Sequence, residues 1–140
     1  MAAATPLVAD NISPPASRAL ARSPAQIVYT GDGSGFLAGH GGSARSPGRL
    51  RWTASTSSQA RATGADWRDN CTPSCATGSF RAYPATVRLY RPAVLGRHLV
   101  FTRMTIKYTG ARPPDRPYRN GSWTASLGYS AHGSLYFWNP

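Results

Sequence analysis

Apolar and polar residues alternate through much of the second half of the chain. In Thr86 to Arg91, Val87 and Leu89 take one side while Arg88 and Tyr90 take the other. Across Leu99 to Thr109, Val100, Thr102, Met104, Ile106 and Tyr108 form one face. Arg103, Thr105, Lys107 and Thr109 form the opposite, polar face. Pro92 to Leu99, with Gly96 inside, connects these segments and predicts antiparallel pairing. Trp123, Ala125, Leu127 and Tyr129 mark a further alternating strand. Gly133-Ser134 then turns into a last strand, Leu135 to Trp138. Earlier, Ile27 to Thr30 has strand composition, Gly31 to Gly35 reads as a turn, and Phe36 to Ala38 as the return strand. Leu50 to Thr53 and Ala60 to Gly64 complete the set. No segment holds a helical period for three turns. The expected fold is all-β: a small antiparallel sandwich or barrel of about seven to eight short strands.

The 140 residues suit one domain. Fourteen Gly and twelve Pro break helices and favour short strands. Residues 1–25 carry Pro6, Pro14, Pro15 and Pro24 without a persistent period, and read as a flexible Pro/Ala-rich tail. Residues 26–140 read as the β-rich domain. No apolar run reaches the length of a membrane span. The opening Met1 to Ala9 lacks a charged n-region and a continuous apolar stretch, so it does not read as a signal peptide. Export of such a chain implies a leader already removed or a misplaced start.

Charge adds a partner class. Sixteen Lys+Arg against five Asp+Glu give a net charge of +11; the acids are all Asp, and only Lys107 is lysine. Such a chain is drawn to polyanions: cell-wall polymer, anionic lipid or nucleic acid. Arginines interleave with aromatics, and the candidate polyanion-binding residues are Arg81, Arg88, Arg91, Arg103, Lys107, Arg112, Arg116 and Arg119. A plainer reading has the same arginines keeping an exposed sheet face soluble. No recognised DNA- or RNA-binding motif accompanies them. Trp52, Trp67, Trp123 and Trp138 read as core or rim residues.

Cys71-Thr72-Pro73-Ser74-Cys75 is the most informative cluster. A structural disulfide, a metal half-site and a redox pair are the three readings. The absence of a second Cys pair and the scatter of His40, His98 and His132 weigh against metal. Three intervening residues and the missing βαβ context weigh against redox exchange. The bridge is the favoured reading, and its small ring would fix a loop more than it stabilises the domain. Gly33-Ser34-Gly35-Phe36-Leu37-Ala38 matches a dinucleotide fingerprint in form only, because Gly39, Gly41 and Gly42 would ruin the helix that must follow. Asp32 among glycines has too few acidic neighbours for a calcium cage. Asp66 and Asp69 flank Trp67 and Arg68; paired carboxylates could do acid/base work, and turn formation with pairing to nearby Arg is the favoured reading. Without Glu there is no H-E-x-x-H, and no Ser sits in G-x-S-x-G. No catalytic residue, cofactor or metal is expected.

Several segments resemble a group of small secreted actinobacterial proteins of unassigned function. The likeness rests on Gly31-Asp32, Trp52, Asn70-Cys71-Thr72-Pro73-Ser74-Cys75-Ala76-Thr77-Gly78, Tyr83-Pro84, Val87 to Pro92, Phe101 to Thr105 and Gly110 to Pro113. It covers roughly residues 26–114, and the cysteine loop is its most specific part. The resemblance implies export and a disulfide, and brings no catalytic residues. The resulting expectation is an exported, non-enzymatic basic protein, secreted or at the cell envelope, that binds an anionic polymer. A secreted hydrolase with an unrecognised site and a protein-binding inhibitor or toxin-like domain are the alternatives.

Overall fold

The computed structural model describes residues 6–10, 19–29, 34–71, 73–74, 78–95, 98–114, 118–129 and 135–138. Among these there is no helix, and the strands are β1 (Val8–Asp10), β2 (Ala19–Ala21), β3 (Ile27–Val28), β4 (Gly35–Ala38), β5 (Arg51–Ser55), β6 (Gln59–Asp69), β7 (Phe80–Leu95), β8 (His98–Tyr108), β9 (Ser122–Tyr129) and β10 (Leu135–Trp138). The all-β expectation holds. β1 and β2 form a two-stranded ribbon. The others form one antiparallel sheet in the order β10-β9-β8-β7-β6-β4-β3, with β5 also on β6. The sheet curls into a half-barrel.

Alternation explains the curl's two faces. β6 sends Ala60, Ala62 and Asp66 inward, β7 sends Tyr83, Ala85, Val87 and Leu89, and β8 sends Met104, Ile106 and Tyr108. With Ile27, Leu37 and Trp123 these make the main core. The curl brings Tyr29, just after β3, against Trp123 of β9, with ring centroids 5.6 Å apart. On the outer face, Phe36, Ala38, Ala65 and Trp67 form a second apolar cluster. Phe36 stacks on Trp67 at 3° between planes, and Trp67 Nε1 donates to Gly39 O at 3.0 Å.

β6 pairs with β5 over Ala60–Thr63 and with β4 over Ala65–Arg68. Gly64 sits where its edge passes from one partner to the other. A Cβ there would lie 2.2 Å from Ala38 O, so no side chain fits without moving β4.

Three sequence expectations need correction. The strands at 60–64 and 86–91 are the middles of β6 and β7, which run 11 and 16 residues. Pro84 and Pro92 do not end β7; Pro84 O accepts from Thr109 N at 3.1 Å. Phe101, an odd position, joins the main core. Pro92 is its ladder partner; the preceding Arg91 has a φ of +52°, and Thr102 Oγ1 donates to Arg91 O at 2.6 Å. The expected tail is also partly packed. Val8 is buried in the core, Leu7 N donates to Leu99 O at 2.8 Å, and Phe101 N donates to Leu7 O at 3.1 Å. β1 touches β3, β8 and β10 across the inside of the curl. Residues 1–5 and 11–18 lie outside the described set.

Candidate functional site: two opposed arginine pairs on one hairpin

The β6–β7 hairpin places arginine opposite arginine once on each face of the sheet. Arg61 pairs with Arg88 on the outer face, and Arg68 pairs with Arg81 at the mouth of the inner face. Like charges directly opposed in an antiparallel ladder repel. An anion seated between them reverses that sign.

Neighbouring strands extend the outer pair into a field. Strand register sets Arg51 beside Thr63, Thr86 beside Lys107, and Tyr90 beside Arg103. Arg51, Arg61, Arg88 and Lys107 are exposed, and Arg103 is half-buried. The guanidinium of Arg88 lies 4.3 Å from the Tyr90 ring centroid. Tyr90 Oη and Thr105 Oγ1 share a hydrogen bond of 3.0 Å, and Thr105 Oγ1 and Thr124 Oγ1 another of 2.9 Å. This chain of hydroxyls fixes the floor on which the arginines stand. The two acids of β6, Asp66 and Asp69, lie further along the strand than Thr63, so no acid stands among these outer-face positions.

The inner pair borders a different feature. Asp66 is fully buried, yet its carboxyl is satisfied: Tyr29 Oη donates to Oδ1 at 2.7 Å and Tyr108 Oη donates to Oδ2 at 2.5 Å. Arg68 Nη1 donates to Tyr29 Oη at 3.2 Å, linking the buried network to the rim. Asp66 is therefore not a turn former; it lies mid-strand, and burial excludes it from solvent chemistry. Asp69 does serve the loop, accepting from Cys71 N at 2.9 Å. Asn70 closes the same loop on Ser79, with Asn70 N to Ser79 O at 3.0 Å and Ser79 N to Asn70 Oδ1 at 3.1 Å. Between this loop and Pro113–Pro114 of the β8–β9 connection lies a groove of about 570 Å³, lined by Arg68, Arg81 and Tyr83 among others.

The eight predicted polyanion contacts do not form one surface. Arg88, Arg103 and Lys107 share the outer face. Arg81 lies over the Tyr83 ring at 4.8 Å, beside the groove. Arg91, exposed and at positive φ, sits toward the far end of β7. Arg112 lies over Tyr118 at 5.0 Å in the β8–β9 connection, where Tyr118 Oη donates to Pro113 O. Arg119 is exposed in the turn before β9, and Arg116 lies outside the described residues. Arg51, Arg61 and Arg68 were not singled out from sequence; only the register of β5, β6 and β7 brings them to these sites. His40 is exposed in the β4–β5 loop, and His132 falls outside the described set. Among the described residues no three His, Cys, Asp or Glu side chains gather as a metal site. Cys71 is not a free thiol, and Cys75, the other cysteine of the chain, lies outside the described residues. Comparison with protein-family models, curated proteins and solved structures gives no match.

Proposed function

We propose that the protein is an exported, non-enzymatic module that binds an extended anionic polymer through the outer face of β5 to β9. The observation that carries this reading is the Arg61–Arg88 opposition within a field of five cations and no acid. The free protein bears that repulsion, and a polyanion relieves it. Cross-strand neighbours lie about 5 Å apart and same-face neighbours along a strand about 7 Å apart. A polymer with a charge at each short repeat can therefore engage several guanidinium groups together. Tyr90, held by Thr105 and covered by Arg88, adds an aromatic surface for rings of the same polymer.

Export is supported by the cysteine loop. A Cys71–Cys75 bridge would belong to an oxidising compartment and would brace the tip of the β6–β7 hairpin. Mass measurement after thiol blocking tests it: no label is expected before reduction and two labels after. Label on both cysteines of the untreated protein would refute the bridge.

The functional test is binding to DNA, anionic vesicles and an acidic wall polymer in parallel across ionic strength. Affinity for at least one is expected to persist at physiological salt and to fall steeply above it. Loss of all three below physiological salt would reject the polymer reading.

A further inference from the structure

We propose that the groove beside the inner arginine pair binds a small monocarboxylate carried on an aromatic or similarly flat apolar body. This site lies on the opposite face of the sheet from the polymer surface, so the two readings stand separately.

Arg68 and Arg81 face one another across the β6–β7 ladder, at the end where the curl opens. Arg68 is half-buried and uses Nη1 on the Tyr29 hydroxyl. That bond anchors the guanidinium to the buried Asp66 network and leaves its remaining N–H donors to point elsewhere. Arg81 is exposed and is steadied by the Tyr83 ring. Two planar forks, each held from behind, suit a carboxylate, which accepts paired hydrogen bonds in the same geometry. Both would otherwise repel across the ladder.

The rest of the lining sets the ligand's charge and body. Asp69 also lines the groove, so among the described lining residues two guanidinium groups and one carboxylate leave a single positive charge. A monocarboxylate balances that charge, whereas a dianionic phosphate exceeds it and meets Asp69. Tyr83, Pro113 and Pro114 supply flat apolar walls. The volume, about 570 Å³, is of small-molecule size and too short for a polymer to be enclosed.

The test uses the full chain and three probes: N-acetylphenylalanine, its neutral amide, and phenyl phosphate. Binding is followed by NMR shift perturbation and calorimetry. The acid is expected to saturate and to shift resonances of Arg81 and Tyr83. The amide is expected to bind at least tenfold more weakly, as is phenyl phosphate. Arg81→Gln is expected to weaken the acid about tenfold or more. Arg61→Gln/Arg88→Gln, on the other face, is expected to leave it unchanged. Equal binding of acid and amide would overturn the proposal. So would tighter binding of the phosphate, an unchanged affinity in Arg81→Gln, or no saturation at millimolar acid. None of these results depends on polymer binding, so failure of either reading is read separately.

Discussion

Asp66→Ala is expected to lower unfolding free energy by about 3–5 kcal/mol, a large share of the ~5–15 kcal/mol typical of a domain. Two costs add. The Tyr29 and Tyr108 hydroxyls lose their buried acceptor, at about 1–3 kcal/mol for each unsatisfied group. The vacated volume lies in a region walled by fully buried side chains, where collapse is incomplete. Asp66→Asn keeps the shape and one acceptor oxygen, while its amide donates to the other hydroxyl; about 1–2 kcal/mol is expected. Tyr29→Phe removes one donor and the acceptor used by Arg68, with a loss in the same lower range, about 1–2 kcal/mol. Urea unfolding measures all three. If Asp66→Ala does not fold, the two milder variants still rank the network. Unfolding free energies within about 0.5 kcal/mol of the parent for all three would show that the carboxyl holds nothing together.

Arg61→Glu is expected to move stability and binding in opposite directions. In the free protein it converts the Arg61–Arg88 repulsion into an attraction across the ladder, a gain of about 0.5–1 kcal/mol. It also places an acid at the centre of the polymer surface and changes the local charge by two. Affinity for the bound polymer is expected to fall on the order of a hundredfold at low salt. An arginine present only to keep the sheet soluble predicts no loss of binding at all. Denaturation curves and binding isotherms of the same preparation separate the two ideas. A variant that is less stable and binds equally well would contradict both halves of the expectation.

Local pattern made the core legible and left the sites hidden. Val87, Leu89, Met104, Ile106, Trp123 and Ala125 announce their face through period-two alternation, and all are buried. The β3–β4 hairpin was visible in Ile27 to Ala38, and the β7–β8 pairing in its two alternating runs. The length of β6 was not visible. Its inner face carries Ala60, Ala62, Gly64 and Asp66, side chains too small or too polar to mark a buried stripe. Asp66 looked like a turn residue because burial of a carboxyl depends on two tyrosines that lie 37 and 42 positions away. Leu7 and Val8 are a short apolar pair among prolines and alanines, and only the open inside of the curl gives them a place. The arginine pairs depend on register. A shift of one residue in β6 against β7 would dissolve both; the shared buried face of the hairpin sets that register, and neither strand read alone shows it.

The most direct measurement is the salt dependence of polymer binding by the parent chain beside Arg61→Gln/Arg88→Gln. With DNA as the polymer, removing two contacted charges is expected to flatten the log–log slope by about two. With any polyanion that binds, the two lines are expected to converge as salt rises. Parallel lines of equal affinity would mean that these arginines never meet the polymer, and the outer face would lose its assigned role.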